Sequence, residues 1–428
     1  DQIHYIVLCK GIPLKIKSAD YGWVRYWKSY HISIDGLLCL LKTNNNNNPS
    51  IMKLYPTTTN IYYDCRVTNP YNGIDSYFNN RFKANHYFQN KSLNDNTTGQ
   101  FKISCLVSRL DGRNEQEVYD LINSSFLSDK TGQGTWILDG YYFYRSDDSL
   151  NFQTYNNYNL NTIVSTANKL TQYGFNAYCD GTSRNPIYSY NSPVIGYLSW
   201  GRHSGYPIGF IVNQLNFSLL SGSIYNTIES YNGASMQPQY RVNEQSLLTE
   251  FVQIEGTGGA AHTYEPYLWL NNNPYNFFPA YAMGYNVVEA AYQGIQSLAW
   301  QNIVVGDPLT TIAWGKQTLT EDVTMEGINL VTGEINVQDL KALTIANNSV
   351  ITLKHQGFIT GEGKLIIGQN VTFNIHDWHE GLFLSYDGAN PRLVWGSHPT
   401  FGESALYKVY RQIGTGNWSL IATTTALE

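Results

Sequence analysis

Val194-Ile195-Gly196-Tyr197-Leu198-Ser199-Trp200-Gly201-Arg202-His203 decides how most of the chain is read. Residues 194–198 are apolar on both faces and too few for a helix. That is the mark of a strand covered on both sides, and the run then breaks into a polar, glycine-containing exit. The same pattern recurs at Tyr5–Cys9, 102–107, 135–138, 177–179, 223–228, 259–264 and Asn302–Val305. Helical patterns lie between these runs. Ser33 stands where an N-cap would precede Ile34-Asp35-Gly36-Leu37-Leu38, although Gly36 is a poor helix former. Asn114, Glu115 and Glu117 open a segment with Val118, Leu121 and Ile122 on one face. Residues 161–171, 243–251 and 283–297 carry further helical periodicity. Alternation of strand and helix up to about residue 315 predicts an α/β domain with a mostly parallel sheet flanked by helices.

Around that domain the composition shifts. Residues 43–100 form a polar insertion holding Asn44–Asn48, Asn69-Pro70-Tyr71-Asn72-Gly73 and Asn94-Asp95-Asn96, which read as a surface excursion. Past Trp314-Gly315-Lys316, residues 318–375 alternate with period two, with turns at Asn347-Asn348, Gly361-Glu362-Gly363 and Gly368-Gln369-Asn370. Helical periodicity is absent, so residues 316–381 are expected to be an all-β connector, a few rungs of a β-solenoid. From 382 to 428 a third pattern follows: Pro391-Arg392-Leu393-Val394-Trp395, Tyr407-Lys408-Val409-Tyr410-Arg411 and Trp418-Ser419-Leu420-Ile421-Ala422-Thr423. These residues resemble the first half of a fibronectin type III sandwich, with Trp395 as its core tryptophan. Such a sandwich needs about 100 residues and seven strands, so a partial domain is expected. The reading is therefore of a piece of a longer chain, with its first and last domains incomplete.

Of the 428 residues only 14% are charged, against 42% hydrophobic, with 34 tyrosines and a formal net charge of −6. A large core is affordable, which excludes global disorder, and there is no basic footprint for nucleic acid. Apolar runs such as Gly36-Leu37-Leu38-Cys39-Leu40-Leu41 are far too short to span a bilayer. Five cysteines (Cys9, Cys39, Cys65, Cys105 and Cys179) all fall in the first 180 residues, an odd and sparse set that is no disulfide framework. Cys9 and Cys105 read as small core residues. Low charge, abundant Tyr, Asn, Ser and Thr, and the sequons at Asn90, Asn96, Asn123, Asn216, Asn347, Asn370 and Asn417 read as an extracellular protein with candidate glycosylation sites.

Chemistry is expected where parallel strands end. Those exits are Lys10-Gly11, Arg109-Leu110-Asp111-Gly112, Asp139-Gly140, Ser199 to His203, Glu229-Ser230 and Glu265-Pro266, and a wholly parallel sheet would line them along one edge. His376-Asp377-Trp378-His379-Glu380 offers metal-type ligands, but in an extended chain its two histidines face opposite ways, so no metal is assigned. Gly256-Thr257-Gly258-Gly259 precedes a strand rather than a helix and reads as a turn, not a phosphate loop. No cofactor is expected.

The runs 3–15, Ser33-Ile34-Asp35-Gly36, Ser108-Arg109-Leu110-Asp111-Gly112, Gly196-Tyr197-Leu198-Ser199-Trp200-Gly201, 256–267 and 300–309 resemble an uncharacterised family of secreted bacterial proteins over most of residues 1–315. More remotely, the strand order and Gly306-Asp307-Pro308 resemble gingipain-type cysteine peptidases with a caspase-haemoglobinase fold. That second resemblance implies a histidine after strand 194–198 and a thiol after strand 223–228. Here the first turn reads Ser199-Trp200-Gly201 with His203 displaced, the second reads Glu229-Ser230, and no cysteine occurs after Cys179. The cysteine-peptidase chemistry therefore fails. What remains favoured is a non-enzymatic extracellular structural or interaction protein, an assembly subunit contacting other surface or matrix proteins or its own copies through C-terminal strands. The rival is a hydrolase with Ser230 as nucleophile, His203 as base and Glu229 or Glu265 assisting. A third alternative, a glycan-binding surface, would use Trp23, Trp27, Trp200 and Trp269.

Overall fold

A computed structural model supplies the fold. It describes residues 5–17, 31–39, 67–68, 93–95, 99–101, 105–140, 157–181, 185–236, 245, 247–263, 268, 271–295, 297–298, 302–354, 357–376, 383–387, 390–394, 400, 407–411 and 419–425. Two compact units divide the chain, Asp1–Ile312 and Ala313–Glu428.

In the first unit the short apolar runs become eight strands of one sheet. They are β1 (Tyr5–Cys9), β2 (Leu106–Leu110), β3 (Thr135–Asp139), β4 (Asn176–Asp180), β5 (Val194–Ser199), β6 (Leu219–Thr227), β7 (Gly258–His262) and β8 (Asn302–Val305). Their spatial order is β1-β2-β8-β7-β6-β5-β3-β4. Strands β3, β5, β7 and β8 are buried along their whole length, which is why they are apolar on both faces. The sheet is mostly parallel, but β7 and β8 run antiparallel while β8 and β2 run parallel. Strands β1, β2 and β8 therefore point opposite to the other five. This corrects the expectation of a single polar edge: the exits at Lys10 and Arg109 lie on one edge of the sheet, those at Asp139, Ser199 and Thr227 on the other. The reversal arises because the chain re-enters beside β2 from the opposite end, a tertiary choice that no local pattern encodes.

Seven α-helices accompany these strands among the described residues: α1 (Ile34–Leu38), α2 (Glu115–Phe126), α3 (Ser165–Gln172), α4 (Phe210–Gln214), α5 (Leu247–Gln253), α6 (Pro274–Ala282) and α7 (Val287–Gly294). Asn114 caps α2 by accepting the Glu117 N–H at 3.0 Å, and Asn286 closes a capping box with Glu289 on α7. Helix α6 escapes a periodicity reading because two prolines interrupt it. Pro274, however, sits in the first turn behind the cap Asn273, where its missing N–H has no partner to lose. Phe278 of α6 meets the buried Trp136 of β3 with ring centroids 5.1 Å apart. Trp136 in turn lies across Gly196 of β5, where any Cβ would come within 2.1 Å of the indole. Of the polar insertion, Val67–Thr68 pairs with Ser297–Leu298 and Leu93–Asp95 with Gly99–Phe101.

The second unit opens with nine short strands: β9 (Gln317–Leu319), β10 (Val323–Met325), β11 (Ile328–Val331), β12 (Glu334–Val337), β13 (Ala342–Ile345), β14 (Val350–Lys354), β15 (Phe358–Gly361), β16 (Lys364–Ile367) and β17 (Thr372–His376). They form three parallel sheets, β9-β12-β15, β10-β13-β16 and β11-β14-β17. The chain thus visits three faces in turn and returns one strand further on. On one face Ile328, Val350 and Thr372 stack in register. Alternate residues point inward, and Leu319, Met325, Val331, Ile335, Val337, Leu343, Ile345, Ile351, Leu353 and Ile359 build one core. Asn348 and Asn370 turn corners with φ of 61° and 56°, a region asparagine tolerates. Two antiparallel hairpins follow, β18 (Phe383–Asp387) with β19 (Asn390–Val394), and β20 (Tyr407–Arg411) with β21 (Ser419–Thr424). Trp395 lies outside the described residues.

Candidate functional site

Strand order locates the crevice. The chain leaves β3 outward to the edge strand β4, whereas β5 lies on the other side of β3 and the chain then steps inward through β6 and β7. The carboxyl ends of β3 and β5 therefore flank a topological switch point, the usual place for a ligand in an open α/β sheet. Asp139 ends β3 there, fully buried. Its Oδ2 accepts the Ile187 N–H at 2.9 Å and the Tyr197 hydroxyl at 3.4 Å. Burial pushes this carboxyl up to about 7, opposed by the Ile187, Tyr206 and Tyr197 donors and reinforced by Asp180, its neighbour in register on β4.

One strand further in, β5 and β6 end side by side, with Ser199 in register with Thr227. The turn after β5 starts at Gly201, whose missing side chain makes room for Glu229: a Cβ would lie 2.3 Å from Glu229 Oε2. Glu229 and Ser230 follow β6 and are both buried. Gln245 joins them, donating to Glu229 Oε1 at 2.8 Å and to Ser230 Oγ at 3.0 Å. Directly after Ser230, Tyr231 takes a left-handed conformation with φ of 56°, strained for a side chain of its size. On β7, the His262 backbone N–H donates to Asn232 Oδ1 at 2.6 Å, and the Gly233 N–H donates to the His262 carbonyl.

Of the sequence-predicted residues, the structure thus brings Glu229 and Ser230 together at the end of β6. His203 lies in the short turn Arg202–Ser204 after β5; its side chain and the whole of Glu265 lie outside the described residues. Gln245 was not singled out, since a lone glutamine in a polar stretch carries no sequence signal. None of the described cysteines serves this crevice. Cys9 ends β1, Cys39 and Cys105 are buried elsewhere, and the Cys179 thiol on β4 is pushed up to about 12 by burial, with Asp180 and Asp139 adding to it. Cys65 lies outside the described residues.

On the opposite edge stands a second polar group. Arg109 is wholly buried and reaches Asp35 with Nε at 3.0 Å and Nη2 at 2.6 Å, while its remaining donors go to the Ile12 and Pro13 carbonyls. Asp111 stands 3.6 Å from both Arg109 and Lys10. Every group here has a partner of opposite charge, so this network is a clamp between β1, α1 and β2.

Other expectations resolve simply. Trp200 is buried against Tyr158 and offers no sugar-stacking face; Trp23, Trp27 and Trp269 lie outside the described residues. Among the sequons, Asn123, Asn216, Asn347 and Asn370 are exposed, while Asn90, Asn96 and Asn417 lie outside the described residues. His376 ends β17 exposed, and residues 377–380 lie outside the described residues. Among the described residues, no three His, Cys, Asp or Glu side chains converge on a common metal position, and no helix is long and apolar enough to cross a membrane. Gly258 and Gly259, expected in a turn, are instead the first residues of β7, and the turn before them lies at Ile254–Glu255. No family model, curated protein or solved structure matches the chain.

Proposed function

We propose that the chain is a non-enzymatic extracellular interaction protein of a bacterial surface, its α/β unit a degenerate relative of the caspase-haemoglobinase domains. One observation carries this reading. At the adjacent ends of β5 and β6, where a peptidase of that kind holds a histidine and a thiol, Glu229 and Ser230 are buried and bound to Gln245. A buried hydroxyl that accepts from an amide, with a carboxylate as its neighbour, is engaged within the protein rather than presented to a substrate. The three-faced β-coil and the two terminal hairpins agree with a solenoid connector and a fibronectin type III-like tail, modules suited to display and contact. Treatment with a serine-reactive fluorophosphonate and a panel of peptide and ester substrates tests the reading. Wild type and Ser230→Ala are expected to remain unlabelled and equally inert.

A hydrolase is the second reading, and the left-handed Tyr231 immediately after Ser230 is what favours it, because strain of this kind gathers at reacting residues. Labelling that disappears in Ser230→Ala and in His203→Ala would establish it and remove the first.

A further inference from the structure

The polar insertion leaves the α/β unit just after α1 and returns just before β2, and a cysteine stands at each stem. Cys39 directly follows α1 and Cys105 directly precedes β2. Both are buried, and the structure shows neither in a disulfide. The two side chains converge on one turn of backbone. Cys39 Sγ donates to the Gly36 carbonyl at 3.1 Å, and Cys105 Sγ donates to the Leu38 carbonyl at 3.5 Å, the carbonyl of the residue joined to Cys39 itself. Nearby, the Tyr292 hydroxyl of α7 accepts from the Val107 N–H of β2 at 3.2 Å and donates to the Val107 carbonyl at 3.3 Å. Both α1 and α7 pack on β2 at this neck.

We infer that Cys39 and Cys105 are a modification site, forming a disulfide that ties off the neck of the insertion. Chemically the step is thiol–disulfide exchange. The thiolate of one cysteine attacks a disulfide oxidant such as oxidised glutathione, forming a mixed disulfide and expelling one glutathione thiolate. The second cysteine thiolate then attacks the protein sulfur of that mixed disulfide and expels the other glutathione. Two protein thiols lose two electrons and two protons, and two glutathione thiols gain them. Access comes through opening of α1, whose five residues are too few to be stable alone. Closing a loop of this length constrains the unfolded chain strongly, so the bond acts mainly by holding 39 and 105 together. It leaves the acidic and polar crevice on the other edge untouched.

Whether the pair is oxidised in the organism rests on the extracellular reading, but its capacity to close does not, and the two are measured separately. Purified wild-type protein equilibrated with oxidised glutathione is digested with trypsin without reduction. Peptides 29–42 and 103–109 are expected as one linked species, with the free-thiol count of the denatured protein lower by two. The oxidised protein is expected to melt roughly 5–10 °C above the reduced one. Cys39→Ser and Cys105→Ser each abolish the linked species, whereas Cys9→Ser and Cys179→Ser retain it. Undiminished thiols in the folded wild type, or Cys39 linked to any other cysteine, would overturn the inference without needing any variant to fold. Retention of the chain inside cells would instead count against the extracellular reading alone.

Discussion

Asp139 and Asp35 show how one residue type at strand-end and helix positions meets two fates. Asp35 is buried beside Arg109 and forms a bidentate pair with it, whereas Asp139 is buried against phenols and an N–H, with Asp180 as its charged neighbour. For Asp139 the sign of the pH effect follows from burial. Its folded affinity for a proton is raised from 3.8 to about 7, so between these values the folded state holds more protons than the unfolded state. Stability is therefore expected to fall as pH rises from about 4 to about 7 and then level off, by an amount of the order of 4 kcal/mol. In Asp139→Asn that slope should be absent, which thermal melts from pH 4 to 8.5 will read. The other pair predicts differently. Arg109→Met strands the Asp35 carboxylate and is expected to cost about 3–5 kcal/mol in denaturant unfolding. Adding Asp35→Leu should recover much of that loss, since the uncompensated charge leaves with it. Both motifs were visible in the sequence as Asp-Gly steps beside apolar runs. Their partners were not, because Asp35 and Arg109 are 74 positions apart.

Elements were legible to the degree that local physics shapes them. Strand β5 was expected within a residue of its end, since five apolar residues followed by Ser-Trp-Gly permit little else. Strand β2 was expected at 102–107 and lies at Leu106–Leu110. Its charged Arg109 seemed to end a buried strand and is instead buried by pairing. Helix α6 was missed because prolines argue against helices, yet here one occupies the first turn. Gly196 illustrates what an element needs from its neighbour: it is glycine because the Trp136 indole of β3 covers it. Gly196→Ala is expected to displace that ring and lower stability by about 1–3 kcal/mol, with a change in tryptophan emission as the local signature. In the β-coil, Leu343 faces the shared core, and Leu343→Ala should cost about 2–5 kcal/mol.

For the whole molecule, two units with separate cores predict that a chain of residues 313–428 alone gives a β-type circular dichroism spectrum and a cooperative melt. Leu420 and Ile421 are consecutive residues of β21 and both exposed, and Ile421 is the extra residue of a β-bulge opposite Val409 and Tyr410. Such a hairpin gains little by itself, and the interaction reading expects it to find a partner. Light scattering across a hundredfold concentration range should show self-association that weakens in Leu420→Lys/Ile421→Lys. A mass that stays constant would remove self-contact through these strands.

By itself the sequence determined that strands alternate with helices up to about residue 315, that period-two β structure follows, and that no cysteine stands in the turns after β5 and β6. These are consequences of side-chain periodicity and residue identity, which act over a few positions. Only the tertiary structure decided that β1, β2 and β8 run against the other five strands, that Arg109 meets Asp35, that Gln245 holds Ser230, and that Cys105 reaches the Leu38 carbonyl beside Cys39. Each of these joins groups far apart in the chain. Burial and charge compensation select such pairings from the whole fold at once, and no window of neighbouring residues contains them.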